Sequence, residues 1–393
     1  MSANGDEFGL STLGIHGGAE PGRPGDAVVP PIVQSATFLG GRQDDALLYT
    51  RYGNNPLQRQ VARKIAALEG TEDALVLGSG MAAIAMTILA LVREGDHLVA
   101  SRHLYGATLD LFSVELPRRG VEVTFVDPVD ADAWGAAVRP RTRLLYLEAP
   151  TNPTLRMFDP RDAAAAAAAA SGESGPIRVV MDATFATPIN LRAVDLGVDL
   201  ILHSATKYLG GHSDLIAGVV AGPTSLVAEV TTMMKRYGPA ADPHMVWLLD
   251  RGLRTLDVRM RRHNANALRI AQFLALRPEV AEVHYPGLES HPDHALATRL
   301  MPEGAGGMVS FVLGGGAEAA DRFMDGLRTV QVAPSLGGVE SLVSQPRFTS
   351  HRSMTAEERA AAGIPDGFVR LSIGIEDARD IERDLASALD GFG

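Results

Sequence analysis

The chain has 393 residues, of which 46% are hydrophobic and 21% are charged, and its net charge at pH 7 is −11. This composition is typical of a globular protein with a large core, and the length favours two domains over one. The negative charge argues against a nucleic-acid partner and against an anionic membrane surface. The sequence contains no cysteine, which excludes disulfides, cysteine-based zinc sites and thiol nucleophiles.

The two segments that could direct the chain to a membrane have the wrong composition. The first ten residues read MSANGDEFGL, which is polar and acidic, unlike a signal peptide. The longest apolar run, at 81–92, is too short to span a bilayer and predicts a buried helix. We therefore expect a cytoplasmic protein with no membrane partner.

The first sixty residues are rich in glycine and proline and have no clear hydrophobic periodicity. They predict an irregular arm that lies on another surface. From about residue 60, helical patterns alternate with short apolar runs. The predicted helices cover 57–69, 81–93 and 107–119, and the predicted strands cover 74–77, 97–100, 121–126, 143–148, 178–182 and 199–203. This alternation predicts an α/β domain with a mostly parallel sheet covered on both faces.

Two further helical patterns occur in the sequence, one within the α/β region and one after it. The alanine-rich stretch at 159–175 predicts a scaffold helix that is capped by Asp159 and ends in glycines. A longer pattern at 253–276 predicts a second helix, followed by a smaller α+β region. We place a domain boundary near residue 250, which gives an arm (1–60), an α/β domain (61–250) and a C-terminal α+β domain (251–393).

The ends of the predicted strands carry the chemistry, and ligands of open parallel sheets bind beyond the carboxyl ends of the strands. The first strand leads into GSGM at 78–81, where backbone N–H groups at a helix start can hold a phosphate. The later strand ends supply an aromatic ring, an amide, a carboxylate, two hydroxyls and an amine, from Tyr105, Asn152, Asp182, Ser204, Thr206 and Lys207. Each could be a cap or a core residue by itself, but structural residues have no reason to gather on one sheet edge.

This set of groups matches the requirements of pyridoxal 5′-phosphate (PLP). The cofactor needs an amine for its aldehyde, donors for its phosphate and a carboxylate that keeps its ring nitrogen protonated. It also benefits from an aromatic ring to stack on. Lys207 follows a buried strand, where its pKa can fall and its amine can act as a nucleophile. We assign Lys207 as the amine, Asp182 as the carboxylate, Tyr105 as the stacking ring, and Gly80, Met81, Ser204 and Thr206 as phosphate donors.

These residues lie in motifs that resemble the cysteine/methionine-metabolism family of PLP enzymes. Its members include cystathionine γ-synthase, cystathionine γ-lyase, cystathionine β-lyase and methionine γ-lyase. The resemblance runs from residue 14 to residue 377 and rests on VVPPIVQSATF (28–38), YTRYGNNP (49–56), GSGMAAI (78–84), EAPTNP (148–153), HSATKYLGGHSD (203–214), RGLRTL (251–256), SLGGVESL (335–342) and VRLSIGIED (369–377). It implies PLP fold type I.

The resemblance also implies an assembly and further site residues. The family forms dimers, usually paired again into tetramers, so we expect a homotetramer built as a dimer of dimers. Tyr49 and Arg51 match the pair that binds the cofactor phosphate of the adjacent subunit. Arg370 matches the residue that binds the substrate α-carboxylate, and Asn152 and Ser335 match residues that line the same end of the site.

By the same resemblance, Lys207 removes the Cα proton of a small sulfur amino acid, and Tyr105 relays a proton to the leaving group. Loss of the γ-substituent then leads either to 2-oxobutyrate and ammonia or to capture by a thiol. Glu340 matches an acidic position shared by γ-lyases and γ-synthases, where it could receive the distal ammonium of cystathionine. A surface glutamate at a strand end is the alternative interpretation.

The chain departs from the family pattern at several positions. Ala183 replaces the usual asparagine after the aspartate, and Leu57 replaces a threonine in the arm motif. Ala107 replaces the cysteine that is typical of methionine γ-lyases, and Leu48 replaces a glutamate of animal-type cystathionine γ-lyases. Glu340 favours chemistry at the γ-carbon over β-elimination, and we expect γ-elimination of the cystathionine γ-lyase type. The alternatives are, in order, γ-replacement of the cystathionine γ-synthase type, methionine γ-lyase and cystathionine β-lyase.

Other functional classes fit the sequence less well. The histidines in HPDH (291–294), and His203 with His212 and Asp214, have no third convergent ligand, so we expect no metal. GSGMAA does not complete the G-x-G-x-x-G pattern of a dinucleotide site. A non-catalytic binding protein would be expected to have lost Lys207, Tyr105 or Arg370.

Overall fold

The computed structural model describes residues 8–20, 22–40, 47–172, 175–350, 352 and 354–390. Parts of the predicted arm (1–7, 21 and 41–46), part of the predicted end of the alanine-rich helix (173–174) and the last three residues of the predicted C-terminal domain therefore lie outside the described residues. No helix within the described ranges is long and apolar enough to cross a membrane.

A seven-stranded sheet forms the larger part of the molecule. Its strands are β1 Asp73–Leu77, β2 His97–Ser101, β3 Glu122–Val126, β4 Thr142–Glu148, β5 Arg178–Asp182, β6 Leu200–Ser204 and β7 Gly218–Gly222. They lie in the order β1-β7-β6-β5-β4-β2-β3. Only β7 in this sheet runs antiparallel to its two neighbours, β1 and β6. The mostly parallel sheet predicted from the alternating pattern is confirmed.

Strand β7 was missing from the sequence prediction. Its residues GVVAG are all buried, and glycines at both ends leave only three side chains to signal a strand. Val219 belongs to the same core cluster as Val61 and Ile65, whereas Val220 belongs to the cluster on the opposite face with Ile84 and Ile88. The alternation of neighbouring side chains thus joins the sheet to cores on both faces.

Helices cover both faces of this sheet. The α-helices of the first 255 residues are Leu10–His16, Pro56–Glu69, Gly80–Leu91, Gly106–Asp110, Leu116–Arg118, Ala131–Ala137, Pro160–Ala170, Thr187–Asn190, Thr224–Tyr237 and Pro243–Leu253. Short 3-10 helices cover Thr50–Tyr52 and Ala193–Leu196. The helices at 131–137, 187–190, 224–237 and 243–253 were not predicted, and the helix at 10–16 shows that the arm is not irregular throughout.

Two predicted helices needed correction. The helix predicted at 107–119 contains a π-helical turn, Leu111–Glu115, which ends two residues before Pro117. Proline has no N–H to donate to the preceding turn, and a wider turn accommodates that loss. The helix predicted at 253–276 begins only at Leu256, because the preceding residues end a separate helix and the carbonyl of Gly252 accepts a hydrogen bond from the Arg259 guanidinium.

A smaller five-stranded sheet follows the long helix Leu256–Ala275. Its strands are β8 Val280–His284, β9 Met308–Leu313, β10 Gln331–Val332, β11 Leu342–Ser344 and β12 Phe368–Ser372, in the order β10-β11-β12-β9-β8. The other helices of this region are His294–Leu300, Gly316–Gly326, Ala356–Ala361 and Ala378–Asp390, with a 3-10 turn at Pro346–Phe348. The domain boundary near residue 250 stays a prediction.

The order and direction of the strands bring the chemistry to one edge. Strands β1, β2, β4, β5 and β6 are parallel to one another, so their carboxyl ends meet on the same side of the large sheet. The last residues of these strands and the loops that follow them contain most of the residues predicted to bind the cofactor. Strand β12 of the small sheet supplies Arg370 to the same region.

Candidate active site

A cavity of about 440 Å³ lies at this edge of the large sheet. It is lined by most of the residues that the sequence singled out, namely Gly80, Met81, Tyr105, Asn152, Asp182, Ser204, Thr206, Lys207, Ser335 and Arg370. A cavity of this size is in the range that accommodates small-molecule ligands.

One end of the cavity is built to hold an anion. The helix Gly80–Leu91 begins here, and its N-cap residue Ser79 accepts a hydrogen bond from Ala82 N at 3.0 Å. A Cβ atom on Gly80 would lie 2.7 Å from Cβ of Ser204, so only glycine permits this close approach of helix and strand. The first N–H groups of the helix and the Ser204 hydroxyl therefore line one concave surface, which suits a phosphate.

Thr206 lies in the turn that connects this end to Lys207. Its Oγ1 atom accepts a hydrogen bond from Ala217 N at 3.1 Å, which fixes the turn after β6 against the start of β7. Lys207 is directed toward the cavity and donates from Nζ to Ser335 Oγ at 2.7 Å. Burial and, to a smaller extent, the charge of Arg370 lower the pKa of Lys207 to about 8. A useful fraction of this amine is thus unprotonated and nucleophilic near neutral pH.

Two buried carboxyl groups stand side by side at the strand ends. Glu148 and Asp182 are register partners on the parallel strands β4 and β5, with 6% and 8% of their surfaces exposed. Burial raises the pKa of both groups, and the charge of Asp182 adds to the effect on Glu148. Thr184 N donates to Asp182 Oδ1 at 2.9 Å, and Tyr105 N donates to Glu148 Oε2 at 2.7 Å.

Sequence reasoning missed Glu148 as a site residue. It is the last residue of β4 and directly precedes the loop that delivers Asn152, so the strand-end argument could have found it. Its hydrogen bond fixes the backbone at the start of the short helix Gly106–Asp110. Glu148 therefore helps to set the position of the Tyr105 ring, which lines the cavity and is 44% exposed.

Arg370, on strand β12, lines the end of the cavity that the small sheet forms. The residue is 6% exposed, and its guanidinium donates from Nη1 to Asn152 Oδ1 at 3.0 Å and from Nη2 to the Ser335 carbonyl at 3.3 Å. It forms no ion pair with any described residue, and burial lowers its pKa to about 10. A buried cation without a counter-ion is costly, so this end of the cavity favours an anionic ligand.

Ser335 contacts both cationic groups. Its hydroxyl accepts from Lys207 and its carbonyl accepts from Arg370, and its φ angle is +95°, which non-glycine residues rarely adopt. Such strained backbone is concentrated at functional sites. The next glycine, Gly337, donates its N–H to Ser372 Oγ at 2.9 Å, which ties this loop to strand β12.

Three of the predicted residues do not line the cavity of their own chain. Arg51 donates from Nη1 to the Lys235 carbonyl at 2.7 Å, and its guanidinium lies 5.2 Å from the ring centre of Tyr49. The Glu340 carboxylate accepts a hydrogen bond from the Ser213 hydroxyl. Additional lining residues that the sequence did not indicate include Thr184, Phe185, Ile216, Thr349 and Ser350. Of these, Thr184 follows Asp182 closely in sequence, whereas Thr349 and Ser350 follow no strand end.

Comparison with known proteins defines the class of this site. The family model for Cys/Met metabolism PLP-dependent enzymes matches residues 11–390. An L-methionine gamma-lyase of Pseudomonas putida is 42% identical over 394 residues, covering 97% of each chain. The chloroplastic cystathionine gamma-synthase 1 of Nicotiana tabacum is 39% identical, covering 97% of this chain and 72% of that protein.

A solved structure agrees with the sequence comparisons. The crystal structure of metB from Corynebacterium glutamicum superimposes with a TM-score of 0.91 at 38% identity, covering 99% of this chain and all of that one. The chain belongs to the Cys/Met metabolism family of PLP-dependent enzymes and has their fold type I architecture. PLP is therefore its cofactor.

The residues present in the cavity fit PLP. The close approach of Gly80 to Ser204 leaves a concave surface of donors that suits the phosphate, and Lys207 offers an amine whose pKa is low enough to react with the aldehyde. The buried carboxyl of Asp182 ends the neighbouring strand β5 and suits the ring nitrogen. PLP bound here supplies an electron sink for negative charge at the carbon atoms of an amino-acid substrate.

The lowered pKa of Lys207 predicts the pH dependence of cofactor capture. Because only the unprotonated amine attacks the aldehyde, the rate constant for PLP binding to the apoenzyme should rise with pH and level off above about 8. The measurement is the growth of the bound cofactor's visible absorbance after mixing, with N-acetyl-lysine as a reference that reports the titration of PLP itself. Arg370→Ala should move the midpoint to higher pH, because it removes a nearby positive charge and admits water. A midpoint near 10.5, the ordinary value for lysine, would contradict the assignment.

Proposed function

We propose that the enzyme catalyses γ-elimination on sulfur amino acids, with L-cystathionine as substrate and 2-oxobutyrate, ammonia and cysteine as products. One observation carries the proposal: the cavity contains a buried arginine without a counter-ion beside a lysine of lowered pKa. The first suits an α-carboxylate and the second suits proton removal from the adjacent carbon. The names of the relatives, a methionine gamma-lyase and a cystathionine gamma-synthase, support chemistry at the γ-carbon.

Arg370 binds the substrate α-carboxylate in this proposal. A guanidinium presents two parallel N–H groups that match the two oxygens of a carboxylate. Asn152 and Ser335 already hold Nη1 and Nη2 of this guanidinium, so they fix its plane before the substrate enters. Fixing the carboxylate also fixes the direction of the Cα–H bond relative to Lys207.

Lys207 and Tyr105 divide the proton transfers. The unprotonated Nζ of Lys207 takes the proton from Cα, and its contact with Ser335 Oγ holds the amine at that position. The Tyr105 hydroxyl carries a proton to the departing sulfur, so the leaving group departs as a neutral thiol. The 2.7 Å hydrogen bond from Tyr105 N to Glu148 keeps the tyrosine backbone in place during these transfers.

A second candidate is γ-replacement on an O-acylated homoserine with cysteine or another thiol. The name of the tobacco relative favours it, and both reactions begin by expelling the γ-substituent. They differ in the next step: in the elimination the remaining carbon skeleton is hydrolysed to 2-oxobutyrate and ammonia, whereas in the replacement a thiol adds to it. In either case Glu340 would receive the distal ammonium of cystathionine after leaving its contact with the Ser213 hydroxyl. Methionine γ-lyase and cystathionine β-lyase activities rank below these two.

We also propose a homotetramer built as a dimer of dimers, in which Tyr49 and Arg51 complete the phosphate site of the neighbouring subunit. Neither residue lines the cavity of its own chain. The arm that precedes them exposes large apolar side chains, with Val28 94% and Leu39 fully exposed, which is typical of a surface that a partner covers. The three-part domain division at residues 60 and 250 and the cytoplasmic location stay predictions.

Product analysis tests the reaction. PLP-loaded protein given L-cystathionine alone should release 2-oxobutyrate and cysteine in equal amounts, whereas Lys207→Ala protein should release neither. Pyruvate and homocysteine would instead mean β-elimination and would overturn the proposal. If neither pair appears, cystathionine formation from an O-acylated homoserine and cysteine would identify the replacement reaction.

Substitution of Arg370 tests the carboxylate site. Arg370→Ala should raise KM by about 100-fold, the loss expected for two hydrogen bonds to a charged group. The cofactor content should stay unchanged, because the phosphate donors lie at the other end of the cavity. Arg383→Ala is the matched control, since Arg383 is 77% exposed and pairs only with Asp380 among the described acidic groups. Equal KM values for the Arg370 and Arg383 variants would place the carboxylate site elsewhere.

Subunit complementation tests the role of the arm. Arg51→Ala and Lys207→Ala proteins should each be nearly inactive, but co-expressed chains should regain about one quarter of the normal activity, because half of the dimers are mixed and each mixed dimer has one intact site. The intact site combines Lys207 from one chain with Arg51 from the other. No recovery in isolated mixed dimers would mean that Arg51 does not act across the interface.

A further inference from the structure

A second cavity, of about 510 Å³, lies next to the cofactor cavity. The loop 149–156 forms part of both: Asn152 lines the cofactor cavity, whereas Thr154 and Arg156 line the second one. Residues of strand β8 and the segment 290–292 form much of the remaining wall. The second cavity thus lies between elements of the large and small sheets, outside the proposed catalytic site.

The lining of this cavity is rich in hydrogen-bond donors. The cavity is lined by the guanidinium of Arg156 and by three imidazoles, those of His103, His284 and His291. The one carboxylate in the lining, Glu282, is 63% exposed and lies 3.6 Å from His284 Nε2, which is too long for a hydrogen bond. Within the described ranges, no three histidine or acidic side chains are placed to hold a metal ion. The chemistry therefore points to a ligand with acceptor oxygens.

His291 provides the clearest sign of a missing acceptor. The residue is 5% exposed, and its Nδ1 accepts a hydrogen bond from Asp293 N at 3.1 Å. An accepting Nδ1 places the proton of the neutral ring on Nε2. That Nε2 atom is buried and has no hydrogen-bond partner among the described residues, and the same holds for Nε2 of His284. A buried donor without an acceptor is costly, so a ligand that supplies one would be favoured.

Arg156 adds positive charge and further donors to the wall. Its Nε and Nη2 atoms bind the Asp293 carboxylate at 2.6 and 3.1 Å, which fixes the plane of the guanidinium. The side chain is 34% exposed, so its outer edge remains accessible from the cavity. Asp293 also accepts from Met157 N at 2.9 Å and is held away from the cavity lining.

We propose that the cavity lined by His103, Arg156, His284 and His291 binds a small oxyanion, either a phosphate or a carboxylate. The oxyanion accepts a hydrogen bond from the unpartnered Nε2–H of His291 and lies against the guanidinium, beside the unpartnered Nε2 of His284. This site is independent of the reaction proposed above, because none of its four residues lines the cofactor cavity.

Anion binding at this site is coupled to proton uptake. Burial lowers the pKa of all three histidines, that of His291 to about 4. The positive groups Arg156, Arg102 and His294 also lower these pKa values, whereas the carboxylates Asp293, Glu282 and Asp127 raise them. The imidazoles are thus neutral at pH 7. A bound anion favours the charged ring and raises its pKa, so affinity increases as the pH falls through the raised value.

The test is calorimetric titration of the PLP-loaded enzyme with inorganic sulfate, whose charge does not change between about pH 5.5 and pH 8. Sulfate should bind more tightly as the pH falls, by at most about tenfold per pH unit for uptake of one proton. Buffers of different ionisation enthalpy should report uptake, and not release, of protons. Absence of binding heat across this range would overturn the proposal.

Two substitutions of His291 test whether the heat of sulfate binding arises from this cavity. His291→Asn keeps an acceptor for Asp293 N but removes the Nε2 donor, and it should weaken sulfate binding at least about tenfold, the loss of a hydrogen bond to a charged group. His291→Gln keeps a neutral donor near the Nε2 position and should bind sulfate with a reduced pH dependence. Both variants should keep the kcat and thermal midpoint of the parent enzyme. Unchanged sulfate affinity in His291→Asn would overturn the proposal.

Two further titrations identify the chemical class of the oxyanion. Inorganic phosphate and acetate, compared at one pH with the parent and His291→Asn enzymes, distinguish a phosphate ligand from a carboxylate ligand. The anion whose affinity depends more strongly on His291 is the class that the site accepts. If neither depends on His291 although sulfate does, the site holds sulfate adventitiously and the proposal is wrong.

Discussion

The active site depends on two cationic groups that are buried together, and no carboxylate of the described residues forms an ion pair with either of them. Lys207 and Arg370 come from different sheets, and Ser335 contacts both through its hydroxyl and its carbonyl. Burial and mutual repulsion lower the pKa of the lysine to about 8, while the arginine stays charged. The two groups thus differ in charge near neutral pH: part of the Lys207 population is unprotonated and can accept a proton, whereas Arg370 stays charged and suits an anion.

The parallel sheet is what brings these groups to one cavity. Parallel strands end at the same edge, so short loops suffice to place a helix start, a tyrosine, two carboxyls and a lysine within one small volume. The adjacent strand ends Glu148 and Asp182 show the constraint most clearly, because their register forces two buried carboxyls together. The unfavourable repulsion is reduced if one of them is protonated, and a positively charged ring nitrogen nearby would favour the ionised form of Asp182.

The sequence predicted the large sheet and most of the cavity lining because both follow from local patterns. Segments of four to six residues with a mostly apolar composition predicted β1 to β6, and the residue types near their ends mark the site. Strand β7 escaped because its terminal glycines leave too short an apolar run, and its antiparallel direction depends on pairing between distant segments. The bridging contacts of Ser335 and the positions of Thr349 and Ser350 depend on how the small sheet packs against the large one, which no local pattern encodes.

The loop 149–156 is where the two cavities share their structure. The side-chain amide of Asn152, in this loop, accepts a hydrogen bond from Nη1 of Arg370. Four residues later, the guanidinium of Arg156 binds Asp293, which lies in the part of the chain that forms the small sheet. The hydroxyl of Ser310, on β9, donates to the carbonyl of Pro153 at 2.8 Å and anchors the middle of the loop. The loop is thus fixed at three points between residues 152 and 156, and it forms a well-anchored wall that the two cavities share.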